Sequence, residues 1–399
     1  MARVAYFFPK HPLRQSSKPS SLRLALVGGG LHNGLLSLMF LSRHPQAQVT
    51  IFESSVKVGG NHTWCFYQAD CPIELFVVLR PYLSDCWSGT DVKFATRQRT
   101  LHQPYYRLTS SGLVAALSDL QLRSPTFHIL TDCTVTCADE FSVTTREGTV
   151  HRADIVVDSR GPDAMAQHFG PWQVFLGQHV KLSHPHGMVR PLVIDARVDQ
   201  NRGLRFVYVL PLADDQLLIE DTYFVEHADL AASTLRSRIA EYAKQHHFDI
   251  ESVISEESGR LPLTLGGTDP SSAMDPVRGG YAGGWFHPIT GYSFPLAARF
   301  ACLLSESETR NDFAEALTRL AVGVKSQNKF LFALNRTLYE GFLPKHRIGV
   351  LEHFYRVPEE LISRFYSASL TPVDRIRVFL GMPPKHVRWL SLAHATWTR

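Results

Sequence analysis

Two adjacent carboxylates in an apolar run are the first candidates for chemistry. In LLIEDTYF (217–224), Glu220 and Asp221 sit among Leu217, Leu218, Ile219 and Phe224. Successive side chains of a strand point to opposite faces, so only one of the two acids can share a face with Leu218 and Thr222. A carboxyl turned into an apolar interior is costly to ionise; its pKa rises and it is stored as a protonated acid, the state a proton donor needs. At a sheet edge the same pair would face water, and the strand pattern does not choose between the two.

A second set of residues suits an anion. In SLRLALVGGGLHNG (21–34) a short apolar strand runs into Gly28, Gly29 and Gly30 and then into a helical pattern from Leu31. Gly28 permits a sharp turn, Gly30 lets backbone approach a pyrophosphate, and the helix N-terminus offers free N–H groups and a positive dipole end. The dinucleotide fingerprint expects a third glycine where Asn33 stands; Gly34, one place later, is read as the close helix-to-sheet contact. The next strand, VTIF (49–52), ends in Glu53, an acid spaced to receive the ribose hydroxyls of an adenosine.

Other stretches carry the same type of residue. Gly60, with Asn61 and His62 beside it, marks a turn that can lie on a flat ligand or a second phosphate. The strand-like pattern from 92 to 109 places Arg97 and Arg99 at alternate positions, where both could meet one anion or line a solvated face. An apolar strand at 153–157 ends in Asp158 and reaches Gly161, which would return to the first crevice. The loop in GGYAGGWFHPITGYSFPLAARFACLL (279–304) gathers His287, Thr290, Gly291 and Tyr292 ahead of a helix starting near Pro295. His179, His184 and His186 lack a carboxylate or cysteine at a matching interval and read as structural or pocket-lining rather than as metal ligands.

These groups need a scaffold of strands and helices. The pattern predicts a mixed α/β (α+β) fold: a Rossmann-like dinucleotide-binding region over 21–170, discontinuous and carrying an insert, and a β-rich substrate region over 171–275. A returning cofactor-binding segment follows over 276–310, and a helical region over 311–399. Expected helices lie at 31–42, at 110–120 under a serine cap, and at 313–324 and 328–338; a hairpin joins 204–212 to 217–224 through Ala213, Asp214 and Asp215. Residues 1–20 carry Arg3, Lys10, Arg14 and Lys18 with no acid and read as a flexible leader or a membrane-surface arm. No acid follows Asp374, while Lys385, Arg388 and Arg399 sit near Trp389 and Trp397, a pattern that suits a packed amphipathic helix or peripheral membrane contact.

Composition narrows the function classes. Hydrophobic residues make up 44% of the 399, charged residues 20%, and the net charge is +4. That is an ordinary globular balance without the concentrated basic stripe of a nucleic-acid binder. Six cysteines without a CxxC pair suit a reducing cytoplasm, and no window reaches the length of a spanning helix.

Taken together, the segments GGGLHNGL (28–35), GGNHTWCF (59–66), LSHPHG (182–187), YVLPL followed by LLIEDT (217–222), GRLPLTL (259–265), FHPITGYSFPLA (286–297) and VPEELISRFYS (357–367) resemble the bacterial lycopene β-cyclase family in order and spacing from about residue 21 onward. The basic leader is the chief departure. The resemblance implies FAD in the first crevice, used in its reduced form, with NADPH as reductant. It also implies lycopene and related acyclic carotenes as substrates, closed to β-ionone rings (γ-carotene, then β-carotene) without net redox change. It places the family's essential acid at Glu220, with Asp221 as its support. It further implies a cytoplasmic enzyme at the inner face of the cell membrane, with other carotenoid-pathway enzymes as possible partners. The rival expectations are a flavin-dependent hydroxylase or reductase acting on an isoprenoid, and a flavoprotein that carries a carotenoid unchanged.

Overall fold

The computed structural model describes residues 22–161, 170–267 and 269–380. The basic leader and the basic, tryptophan-containing stretch after 380 lie outside the described residues.

The expected α/β architecture is present. A five-stranded parallel sheet has the order Val277–Arg278, Ile155–Asp158, Arg23–Val27, Gln48–Phe52, Phe127–Leu130. The first strand lies in the middle because its residues 24–27 are buried on both faces. Val27 is in register with both Phe52 and Asp158, so three strand ends coincide at one edge of the sheet. The helix Leu31–Arg43 leaves that edge and packs against Ser110–Arg123 and Phe294–Leu304.

The second sheet has seven strands, ordered Ile250–Pro262, Trp172–Leu182, Gln216–Val225, Leu204–Ala213, Leu192–Asp195, Thr90–Lys93, Gln98–Leu101. The hairpin expected around residues 213–215 forms, joining Leu204–Ala213 to Gln216–Val225. One face of this sheet is closed by the helix Ala232–Gln245, through Leu235, Ile239 and Tyr242 packed on Leu176, Val207 and Ile219. The other face looks toward a small sheet of Thr63–Tyr67, Tyr105–Thr109 and Asp85–Trp87, and toward the C-terminal helices. Two strands of the seven, at 90–101, come from inside the segment that interrupts the nucleotide-binding unit.

Three local expectations change. The pattern at 92–109 is not one strand: the chain turns after Lys93 and Phe94 donates its N–H to the Arg97 carbonyl, so Arg97 is a turn residue and does not share a strand face with Arg99. Thr109, not a serine, caps the helix Ser110–Arg123, accepting from the Gly112 N–H. The helices expected at 313–324 and 328–338 form one helix, Arg310–Gly341, begun by a Thr309/Asp312 capping box. Nothing in Lys325, Ser326 and Gln327 breaks a helix. Pro344–Phe354, Glu359–Tyr366 and Pro372–Leu380 complete the helical region. Among the described residues no helix is long and apolar enough to cross a membrane.

Candidate functional site

The glycine turn and its partners assemble at the shared strand edge. Gly28 adopts φ +94°, and a Cβ there would stand 3.1 Å from the Ser159 carbonyl oxygen, so this position requires glycine twice over. Glu53 accepts from the Gly29 N–H (2.8 Å) and the Ser55 N–H (2.8 Å), holding its carboxylate across the mouth of the turn. Gly59 donates to the Gly29 carbonyl (2.9 Å), which brings the Gly59–Gly60 turn onto the first glycine loop. Gly30 has open space where a Cβ would stand, and no side chain caps the helix it precedes. An exposed cradle of backbone N–H groups with an acid at the adjacent strand end fits the pyrophosphate and ribose of a dinucleotide such as FAD. Gly30→Ala is therefore expected to leave the protein free of cofactor as stable as before, while FAD affinity falls about tenfold or more through overpacking against the phosphates. Flavin titration and a melting curve on the same preparation check this.

Several expected cofactor contacts have other roles. The Asn33 amide is buried and donates to the carbonyls of Val27 (3.0 Å) and Gly28 (2.8 Å) while accepting from the Ser159 hydroxyl (2.9 Å); it locks the glycine turn from behind. Gly34 is a close contact, but with another helix and not with the sheet: a Cβ would stand 2.9 Å from Leu113 Cδ1. Asp158 accepts from Arg160 and from Arg278 Nη1 (2.8 Å); burial, the largest single influence, opposes its ionised form, but the bonds and charges of Arg160 and Arg278 together outweigh it and hold its pKa low, so its carboxylate is already paired. Gly161 has open space around it at the end of this strand's extension. Arg99 lies far along the chain's other sheet, donating to the carbonyls of Tyr355 (2.9 Å) and Val357 (2.6 Å), so it clamps the C-terminal helices and is not at the crevice.

The imidazole of His287 is buried, accepts at Nδ1 from the N–H groups of Ile289 and Thr290, and packs on Phe365. Desolvation lowers its pKa to about 3, so it is a neutral turn residue. Gly291 (φ +69°) completes that turn, and Tyr292 donates to Asp70 (2.8 Å) while Thr290 and Tyr292 line the adjoining cavity. His184 is exposed, and His186 bonds to the Ala213 carbonyl at the end of the strand Leu204–Ala213 and accepts at Nδ1 from the Met188 N–H.

That cavity, of about 510 Å³, lies between the seven-stranded sheet and the C-terminal helices. Its walls are chiefly apolar and aromatic, with Tyr105, Phe206, Tyr208, Phe224, Tyr292 and Phe354 among them. Aromatic faces attract positive charge, and a dry wall denies it water.

The acid pair is split by the sheet. Glu220 is paired across strands with Tyr208 and Gly177, on the face shared with the cavity residues Phe206, Phe224 and Gln173. Its Oε1 accepts from the Thr222 hydroxyl (2.5 Å), and desolvation raises its pKa to about 7. Asp221 points to the opposite face, fully buried beside the helix Ala232–Gln245, with Oδ1 accepting from Arg205 Nε (2.7 Å). The expectation that Asp221 supports Glu220 at the reacting face is therefore corrected: alternation sends it through the sheet, and Thr222, two residues on, is the group that touches Glu220.

Sequence reasoning missed Glu257. It lies on Ile250–Pro262, opposite Gly177 in register, with its carboxyl near Thr63 and Arg107. Burial and the neighbouring Glu220 push its pKa up to about 8. Two signals pointed there: a second acid pair, Glu256 and Glu257, in a strand-like run, and an isolated glycine inside the strand Trp172–Leu182, the mark of a close approach. The cofactor crevice reaches this row as well, because Asn61, beside Gly60 and His62, donates to the Glu256 carbonyl (3.1 Å).

A parallel sheet with a glycine turn at its switch point, joined to a second sheet that walls a cavity, is the class of fold seen in a probable FAD-dependent monooxygenase, pqsL, from Pseudomonas aeruginosa, which this chain matches with a TM-score of 0.58 at 16% identity, covering 83% of this chain and 99% of that one. The fold matches p-nitrophenol 4-monooxygenase PnpA from Pseudomonas putida with a TM-score of 0.63 at 15% identity, covering 88% of this chain and 99% of that one. It matches a geranylgeranyl bacteriochlorophyll reductase-like protein from Thermoplasma acidophilum with a TM-score of 0.60 at 9% identity, covering 95% and 100%. Within this class, the family model "Lycopene cyclase protein" matches residues 23–390, and the chain belongs to that family. It is 37% identical to the lycopene beta-cyclase of Pantoea ananas over 90% of this chain and 94% of that protein, and 33% identical to that of a Paracoccus species over 90% and 93%.

Proposed function

We propose that this protein is a lycopene β-cyclase that closes the acyclic ends of lycopene into β-ionone rings by proton-initiated carbocation chemistry. The observation that carries the reading is Glu220: a carboxyl with its pKa raised to about 7, cross-strand from the cavity residue Tyr208 and on the strand face that also carries Phe206 and Phe224. Such an acid holds its proton near neutral pH and can deliver it to an alkene. Thr222 holds the carboxyl in place. The aromatic walls exclude the water that would quench the cation, and their faces lower its energy.

FAD would be held by the backbone at Gly30 in the turn that Gly28 shapes, the Glu53 carboxylate and the Gly59–Gly60 turn; reduced by NADPH, it would supply an electron-rich, negatively charged ring system that favours a nearby cation. The reaction conserves redox state, so reductant is needed to keep the flavin charged and not to be consumed with each turnover. Lycopene does not dissolve in water, and the exposed apolar side chains of Val373 and Ile376 on the helix Pro372–Leu380 and of Leu343 just before Pro344–Phe354 suit peripheral contact with the inner face of the cell membrane. The monooxygenase-like fold favours one rival, a hydroxylase or reductase.

Expression in cells that accumulate lycopene, with NADPH oxidation followed in the purified system, tests both. The expected outcome is conversion to cyclic carotene with far less than one NADPH oxidised per ring. Stoichiometric NADPH use with an oxygenated or reduced product would establish the rival, and unchanged lycopene would establish a carrier.

A further inference from the structure

The row of residues crossing the sheet at Glu220 holds a second carboxyl. Gly177 is directly opposite Glu220 on one side and Glu257 on the other. A Cβ at Gly177 would stand 3.5 Å from Glu220 Cβ and 3.5 Å from Glu257 Cγ. The two acid side chains thus flank the one position in the row that has no side chain, and Glu257 leans over it.

The back face explains why these two acids and not their neighbours meet. Asp221 is committed to Arg205, and Glu256 is committed to Arg236 (2.7 and 2.9 Å) and Gln178. The same arrangement occurs twice: of two consecutive acids on a strand, one pairs with an arginine on the face that carries the helix Ala232–Gln245, Arg205 beneath the helix and Arg236 on it, and the other is sent to the opposite face without a partner arginine of its own. Arg107, the cation nearest Glu257, is tied to Asp85 (2.6 Å). Other titratable groups on this side include Cys65, Tyr105 and Tyr208, all pushed up by burial and neutral near pH 7, Tyr67 and Tyr292, likewise pushed up by burial, Asp70, pushed up to about 6 by burial and bonded to Tyr292, and His179, two residues from Gly177, which bonds to Gln216. Tyr105 and Tyr208 bond to one another (3.0 Å).

Resting on the cyclase reading, we propose that Glu257 shares the transferable proton with Glu220 across Gly177 and keeps the donor loaded through the catalytic cycle. In the step, the Glu220 O–H bond breaks as a C–H bond forms at the terminal alkene, and the pair is left with one proton fewer and one more negative charge, which faces the new carbocation. After ring closure a ring C–H bond breaks; its electrons become the ring double bond and its proton returns to the pair. No proton is consumed. Glu257 acts through Glu220 and is a positioning residue.

Two like charges this close do not ionise together, so the pair loses its protons in two steps and the repulsion falls on the second. The FAD-loaded wild type is expected to keep cyclising until the second proton is lost, at about pH 8. With Glu257→Gln, Glu220 titrates alone at about pH 7. The variant should match the wild type within about twofold at about pH 6 and fall about fivefold below it at about pH 8. A rate lowered equally at all pH values, with the alkaline limb unmoved, would overturn the proposal.

If Glu257→Gln does not fold, infrared titration of the wild-type holoenzyme decides: above the step of Asp70 at about 6, two further carboxyls lost in succession at about 7 and about 8 support the pair, and a single step there rejects it. Glu220→Gln, run alongside, separates the two layers. Full cyclisation by that variant overturns the acid assignment itself, a result different from an unmoved limb.

Discussion

Glu220→Gln is expected to keep the fold and the bound flavin and to lose about 10²–10⁴-fold in cyclisation rate. The substitution preserves shape and leaves an oxygen to accept the Thr222 hydroxyl, so no cavity opens and no polar atom is orphaned. What it removes is the acidic proton. A general loss of packing would lower melting temperature and activity together; this variant should separate them.

The linkage sign gives a second readout. Glu220 has a folded-state pKa raised from about 4.5 to about 7 by desolvation, so the stability tied to its protonated form is complete below its unfolded pKa and is lost as pH rises through about 7. The amide has no such dependence. The melting temperature of Glu220→Gln relative to the wild type should therefore rise between about pH 5 and about pH 8, and a gap that does not move would mean that Glu220 is already ionised and cannot be the donor.

The nucleotide-binding half was legible because its signals are local. A strand, a glycine turn, a helix and an acid at the next strand end are all read within about thirty residues, and the structure brings Gly28, Gly30 and Glu53 to one edge. Roles set by distant chain segments were less legible. Asn33 looked like a defect in the fingerprint, yet it is the pin of the turn through a hydroxyl 126 residues away. Arg99 looked like half of an anion clamp because nothing local announces that its partners are carbonyls at Tyr355 and Val357, far along the chain. His287 sits in a loop rich in polar residues, but the burial that makes it structural comes from Phe365.

For the acid pair, alternation established that the two carboxyls part ways and left open which one faces inward. The answer depends on where the helix Ala232–Gln245 docks, and that helix follows the strand in sequence without marking its face. Glu257 depends on register across three strands, Glu220 to Gly177 to Glu257, which no single stretch encodes.

The back face of the same sheet carries the largest stability prediction. Arg205 is 4% exposed and Asp221 is fully buried, with Asp221 Oδ2 lacking any partner among the described residues even while Oδ1 holds Arg205. The guanidinium also lies over the Tyr223 ring, 5.3 Å from its centroid. Arg205→Met removes one charge and strands the other in a dry interior, at a cost of about 3–5 kcal/mol. Arg205→Met combined with Asp221→Leu removes both charges, fills much of the space, and should recover most of that loss, because a buried ion pair gains little over a well-packed apolar replacement.

Denaturant melts of the single and double variants test this. A double variant no more stable than Arg205→Met would show that the pair contributes through geometry and not through charge balance. Whatever fraction of the double variant is folded and holds flavin should still cyclise, since Asp221 bonds to Arg205 and not to Glu220, with the alkaline limb moved slightly to lower pH because the Asp221 charge helps to raise the Glu220 carboxyl. On the cyclase reading, the acid pair divides its work across the sheet, with Glu220 holding the proton and Asp221, through Arg205, anchoring the strand that presents it.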